Sequence, residues 1–231
     1  MKIYALFFKV KHLKLIILAI SVLCVTSTLV VAERYRVAGN VLYFDMGYRG
    51  PDLEYPRELG KSDVYPIQSI LFENPSIDTI SLSGPGGYGP ASDQIIEKIL
   101  RLGLNTTAFG DCISACANIF LAGQSRSLLP SARLGFHRPY IIKQDEFAYF
   151  EANKERMGWH EEFDYVPWIY DVGLADMLHA FSYMAGRGVS IDFITRAYSV
   201  DSFSVWFPSY EILFEEGVVN SDFVSTDLSS D

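Results

Sequence analysis

Ser114 and His137 are the residues whose types and placement best suit nucleophilic chemistry. Ser114 stands at the start of an apolar segment of helical length, and His137 ends an apolar strand where a core residue would normally be aliphatic. A neutral imidazole that reaches the hydroxyl would act first as a general base and then as a general acid. The pair therefore predicts attack by a serine oxygen on an acyl carbon. The alternatives are an ordinary helix N-cap for Ser114 and a half-buried structural histidine.

A glycine-rich segment predicts where negative charge would be held during that attack. Residues 84–89 are Gly-Pro-Gly-Gly-Tyr-Gly. Glycine allows backbone N–H groups to approach a ligand closely, so Gly86 and Gly87 are candidate oxyanion donors, with Ala115 at the next helix start as another. The alternatives are a tight strand-to-helix turn or a phosphate-binding loop, although a phosphate loop would have a Lys-Ser/Thr pair after the glycines.

Two cysteines flank the candidate nucleophile. Cys112 and Cys116 are four residues apart, which in a helix separates the α-carbons by roughly 6 Å, within disulfide range. A disulfide, two buried thiols and a catalytic cysteine all remain open. His160 and His179 have no ligand spacing to this pair, so neither a metal nor another cofactor is expected.

The elements that must position these residues alternate between strand and helix. Strands are predicted at 34–38, 41–46, 77–83, 106–109 and 131–137, and helices at 63–72, 92–102 and 114–123. Further helices are predicted near 146–157, 173–187 and 209–216. Such alternation predicts an α/β fold with helices against a largely parallel sheet. The turns at the carboxyl edge of that sheet would bring the three segments together.

The first 32 residues have the order of an export signal. Residues 1–32 contain four lysines, all before residue 15, and no acidic residue. An apolar run from Leu15 to Val31 follows the lysines, and Val30 and Ala32 would suit cleavage before Glu33. The alternative is an uncleaved inner-membrane anchor, because the run approaches the ~20 residues that span a bilayer. Either outcome places the rest of the chain in the periplasm or on the outer face of the inner membrane. We therefore expect a domain at 33–223 and a flexible tail at 224–231.

The net charge of the chain beyond residue 32 argues against one class of partner. Beyond residue 32 there are 15 basic and 28 acidic residues, a formal net charge of −13. Such a surface repels phosphate backbones, so nucleic acid is not an expected partner.

The order of these motifs resembles the Clp protease proteolytic subunit, in the Clp-protease/crotonase superfamily. A Pro-Gly-Gly loop, a Ser at a helix start and a Gly-Phe-His-Arg-Pro segment follow one another, most clearly over residues 64–139. The sequence is also similar to predicted periplasmic Clp-protease-like proteins with a C-x-S-A-C motif, here Cys112 to Cys116. The resemblance implies a Clp-protease/crotonase-like fold of repeated ββα units and a peptide or protein substrate bound extended beside the glycine loop. It also implies assembly into homo-oligomers.

The resemblance further implies a third catalytic residue, an acid, shortly before residues 206–219. The matching position holds Val205, so Asp201 is the candidate, with Asp192 second. Without an acid, the imidazole would need a backbone or water partner to fix its tautomer.

Two other functions remain open from the sequence. One is a catalytically inactive binding or scaffold protein with the same fold. The other is a crotonase-type acyl-CoA enzyme, which shares the oxyanion loop but uses carboxylates in the cytoplasm. The export segment and the placement of Ser114 and His137 favour the exported serine hydrolase.

Overall fold

One twisted sheet carries the site in the computed structural model, which describes residues 33–48, 58–140 and 143–222. All of these residues fall within one compact unit, Glu33–Asp231. The predicted export segment at 1–32 and the tail at 224–231 lie outside the described residues. No helix in the described ranges has both the length and the apolar character needed to cross a membrane.

Six described strands form the sheet. They are β1 (Tyr35–Ala38), β2 (Val41–Asp45), β3 (Thr79–Gly84), β4 (Asn105–Ile113), β5 (Arg126–Leu128) and β6 (Arg133–Gly135). The order is β1-β2-β3-β4-β5, and β6 pairs with the carboxyl half of β4. Only the β1–β2 hairpin is antiparallel among these pairs. The predicted α/β class with a largely parallel sheet is confirmed.

Seven α-helices are described around the sheet. They are α1 (Val64–Glu73), α2 (Gly89–Leu102), α3 (Ala115–Leu121), α4 (Lys143–Met157), α5 (Glu162–Gly186), α6 (Ile191–Ser199) and α7 (Tyr210–Glu215). A single 3-10 turn, Lys61–Asp63, leads into α1. The apolar faces of the first three helices pack into the main core through Ile67, Ile99 and Phe120, each at most 1% exposed.

Residues 143–179, called here the helical arm, have a small core of their own. Phe150, Trp159 and Tyr165 form that cluster, separate from the main one. Residues 173–179 of α5 are all exposed. Only beyond them does α5 join the main core, through Met184 and its neighbours. The remaining described residues are called the body.

Several predicted boundaries were wrong for identifiable reasons. β4 continues four residues beyond the predicted end at Phe109, because Gly110 takes a positive φ of 62° and the strand resumes. α5 starts at Glu162 rather than 173, because the Asp164 carboxylate accepts the backbone N–H groups of His160 and Glu161. These bonds supply acceptors for the amides that precede the first helical turn.

β5 and α6 were not predicted at all. All three residues of β5 are buried, but two of them, Arg126 and Ser127, are polar. The sequence therefore lacks the apolar run that would indicate a buried strand. The Arg126 guanidinium donates to the backbone oxygens of Gly217 and Val218, which satisfies a side chain that would normally be exposed. α6 begins with an N-cap, Ser190, whose hydroxyl accepts from the N–H of Phe193.

Candidate active site

Ser114 occupies the turn between β4 and α3 in a strained backbone conformation. Its φ is 56° and its ψ is −121°, and only Ser131 shares a positive φ among the described residues that are not glycine. Such a conformation costs about 1–3 kcal/mol and persists where surrounding contacts enforce it. Here the Ser114 N–H donates to Gly135 O at 2.9 Å, and its carbonyl accepts from Asn118 N at 3.0 Å. A sharp strand-to-helix turn of this kind is how hydrolases expose a nucleophilic serine.

A disulfide closes the same turn. Cys112 and Cys116 are bonded, with α-carbons 5.2 Å apart, and both are fully buried. The bond links the end of β4 to the first turn of α3, on either side of Ser114. Because both sulfurs are bonded, neither supplies the thiolate that a catalytic cysteine requires.

The glycine loop lies directly against the Ser114 turn. A Cβ placed on Gly86 would be 2.5 Å from Ile113 O and 2.7 Å from Ala115 N, so no other residue fits without movement. Gly86 and Gly87 also have positive φ values of 86° and 141°. Glycine is therefore required here both for space and for backbone conformation.

Three backbone amides at this junction have no acceptor in the described part of the chain. Within the described ranges, the N–H groups of Gly86, Gly87 and Ala115 donate to no acceptor. Ala115 begins α3, and the first amides of a helix have no acceptor within it. Backbone N–H groups of this kind stabilise an oxyanion when they point at it.

His137 follows β6 at the same edge of the sheet. It lies two residues after Gly135, whose carbonyl accepts the Ser114 N–H. The backbone of Phe136 pairs with that of Trp206 through two hydrogen bonds of 2.9 Å, which fixes the segment. The imidazole is half-buried. No hydrogen bond joins it to the Ser114 hydroxyl among the bonds of the described residues, although such bonds are often long until substrate binds.

A backbone carbonyl orients the imidazole. His137 Nδ1 lies 2.9 Å from Arg138 O. A carbonyl oxygen only accepts, so Nδ1 must carry the proton and Nε2 is left as the basic nitrogen. This is one of the arrangements left open when the third catalytic residue could not be matched.

The structure places Asp201 against Arg138 instead of against the imidazole. Its carboxylate accepts from Arg138 Nη2 at 3.0 Å and from the Phe203 N–H at 3.0 Å. The matching position, Val205, packs beside Gly135, where an added Cβ would lie 2.7 Å from Val205 Cγ1. Asp201 therefore steadies the residue that follows His137, and the imidazole has no carboxylate partner in the part of the chain that the structure describes.

The sequence did not reveal the groups that hold the candidate site residues in place without being candidates themselves. The Arg138 carbonyl is a backbone atom and leaves no signal in residue types. Arg34 and Asp63 form a buried ion pair behind the glycine loop, but their pairing across 29 residues has no local pattern. The described residues contain no cluster of His, Cys, Asp or Glu that could hold a metal ion.

Comparisons with known proteins find a similarity of structure and no match of sequence. No family model matches the sequence, and no curated protein matches it. Solved structures that resemble it include a mutant of ClpP1 from Listeria monocytogenes, at 20% identity and a TM-score of 0.49. That match covers 72% of this chain and 86% of the other. The case for a function therefore depends on the geometry of Ser114, His137 and the glycine loop.

Proposed function

We propose that this chain is an exported serine hydrolase, a peptidase, with Ser114 as nucleophile and His137 as general base. The observation that carries the proposal is the strained strand-to-helix turn that presents Ser114 beside the glycine loop, where the amides of Gly87 and Ala115 have no acceptor among the described residues. A serine that only capped a helix would not need a φ of 56°, since N-caps take extended conformations. The C-x-S-A-C motif further supports membership of the periplasmic Clp-protease-like proteins.

The reaction would proceed by acyl transfer. Ser114 Oγ attacks the substrate carbonyl carbon while His137 Nε2 takes the hydroxyl proton. The carbonyl oxygen becomes an oxyanion held by the amides of Gly87 and Ala115. The intermediate collapses as Nε2 gives the proton to the leaving amine, which leaves the acyl group bonded to Ser114 Oγ. Nε2 then takes a proton from a water molecule that attacks this ester, and it returns the proton to Ser114 Oγ as the acid product leaves. The Arg138 carbonyl supports the imidazolium that forms at each step.

Covalent labelling of the full chain with a fluorophosphonate probe tests this proposal. The wild-type protein should react, and Ser114→Ala should abolish the reaction because the attacking oxygen is gone. Ser131→Ala is the matched control, since Ser131 also has a positive φ but lies exposed in the turn before β6. Labelling that persists in Ser114→Ala would sink the assignment.

Asp201→Asn separates two ways of orienting the imidazole. Because Asp201 binds Arg138, we expect the substitution to slow labelling by less than about tenfold, whereas His137→Ala should slow it by about 10²–10⁴. In a true triad, the same change at the third residue costs about 10⁴ in kcat. A loss of that size would show that Asp201 reaches the imidazole when substrate is bound.

A second function is favoured by one observation. Ser114 and His137 share no hydrogen bond among the described residues, and Asp201 is engaged elsewhere. A protein that binds extended peptides without cleaving them could have this arrangement. It would fold and bind peptide but leave the fluorophosphonate probe unreacted.

A further inference from the structure

A three-residue segment, Glu58–Gly60, braces the glycine loop from behind. We call it the strap. The Leu59 N–H donates to Gly86 O at 2.6 Å, and the Tyr88 N–H donates to Leu59 O at 2.9 Å. These two bonds form a parallel bridge between Leu59 and Gly87. The Leu59 side chain is 1% exposed, so the strap is anchored in the core as well.

The strap packs tightly against the glycine loop. A Cβ on Gly87 would lie 2.5 Å from Leu59 O and 2.7 Å from Leu59 N. The bond from the Leu59 N–H to Gly86 O holds the planar peptide group that also carries the Gly87 N–H. A displacement of Leu59 would therefore break this bond or reorient the Gly87 N–H.

Both ends of the strap are held by one buried ion pair. Arg34 Nη2 donates to Glu58 O at 2.8 Å, and the Gly60 N–H donates to Asp63 Oδ2 at 2.7 Å. Arg34 and Asp63 also bind each other through two bonds of 2.6 and 2.8 Å, and Tyr35 donates to the same carboxylate. Arg34 is 3% exposed and Asp63 is fully buried.

The Arg34 guanidinium keeps its charge in this environment. Burial lowers the pKa of the Arg34 guanidinium, but its hydrogen bonds and charge interactions with Asp63 and Tyr35 together outweigh burial and leave the pKa raised. Replacing a buried ion pair by apolar residues of similar volume is often neutral or stabilising. Apolar replacements would fill the space, but they could not hold Glu58 O and the Gly60 N–H.

We propose that Arg34 and Asp63 are positioning residues of the active site, which fix the Gly87 oxyanion donor through the strap. This inference rests on the proposed function and concerns the geometry of the same site. Within the described residues, no hydrogen bond joins the pair to Ser114 or His137. Its effect reaches the glycine loop through the backbone of Leu59 and through Met46, whose carbonyl accepts from Arg34 Nη1 at 2.8 Å and which lies against Gly84.

The test compares single and double apolar variants of the full chain. Arg34→Met and Asp63→Leu should each lower the unfolding temperature, because each leaves one buried charge unpaired. The double variant should regain much of that temperature. It should not regain the reaction: its maximal fluorophosphonate labelling rate should stay at least about tenfold below wild type with half-saturating concentration unchanged, because an oxyanion donor acts in the transition state.

A second ion pair supplies the matched control. Arg133 binds Asp111 through two bonds of 2.8 and 2.7 Å between β6 and β4, without contact to the strap. Arg133→Met should leave the labelling rate within about twofold of wild type, as expected for an exposed pair. Should the double variant fail to fold, Arg34→Lys keeps the charge but loses the planar fork, and it should still reduce the maximal rate.

The outcomes separate this inference from the proposed function. A wild-type protein that never reacts removes both. A reactive wild type whose double variant labels at the wild-type rate overturns the positioning role alone. The same conclusion would follow if Arg34→Lys folded and reacted normally.

Discussion

The body and the helical arm bury their apolar side chains to different degrees. In the body, large residues such as Phe44 and Phe120 are fully buried in one continuous core. In the arm, the most protected residues, Phe150, Trp159 and Tyr165, keep 6–9% of their surface exposed. The candidate chemistry lies wholly in the body, where close packing holds atoms to the tolerance that a reaction needs.

The arm is held together mainly by aromatic contacts. Tyr149 stacks on Trp168 with ring centroids 4.9 Å apart, and Trp159 meets the edge of Tyr165 at the same distance. Tyr165 also donates to the Glu146 carboxylate. A segment with so small a core should open locally without unfolding the sheet.

The largest expected effect contrasts one aromatic residue from each region. Phe120→Ala should lower the free energy of unfolding of the whole protein by about 3–5 kcal/mol, because it leaves a cavity in the main core. Trp159→Ala should melt the arm but lower the global free energy by less than about 1 kcal/mol. Urea unfolding combined with amide hydrogen exchange measures both. Equal losses would mean that the two regions unfold as one unit.

An intermediate effect is expected from removing the disulfide. Replacing Cys112 and Cys116 by alanine should lower the free energy of unfolding by about 2 kcal/mol, the value for so short a closed loop. Fluorophosphonate labelling should fall by more than about tenfold, because the turn that aims Ser114 is loosened. Hydrogen exchange in the arm should not change. Labelling at the wild-type rate would show that hydrogen bonds alone hold the turn.

The smallest effect is expected on the surface of the arm. Phe163 and Leu178 are 80% and 68% exposed. Changing either to serine should alter the free energy of unfolding of the monomer by less than about 0.5 kcal/mol, as for exposed sites in general. A larger loss, measured by urea unfolding, would show that these side chains are covered in solution.

The same contrast explains which parts the sequence could predict. In the body, strands and helices alternate with clear glycine turns, so the fold class and the meeting of three segments at one sheet edge could be inferred. In the arm, aromatic and charged residues alternate without a clean period, and Pro167 lies inside a helix. Aromatic packing decides that helix, and packing is not visible in local patterns.

The residues of the candidate site differ from the groups that hold them in how far the sequence reveals them. Ser114, His137 and the glycines each carry a local signal, whereas the carbonyl that orients the imidazole does not. A better use of capping rules would have found α6, since Ser190 precedes apolar residues at 193, 194 and 197. No comparable rule would have joined Arg34 to Asp63.

Because β6 has only three residues, the chain should tolerate deletions in the turn before it poorly. Three residues of β6 pair with the last three of β4, so the alignment of Gly135 with Ile113 helps to set which side chain lies next to Ser114 at the sheet edge. Successive strand residues point to opposite faces, and a slip by one place would reverse them. Deleting a single residue from the turn at 129–132 would then present Arg138 where the imidazole now stands.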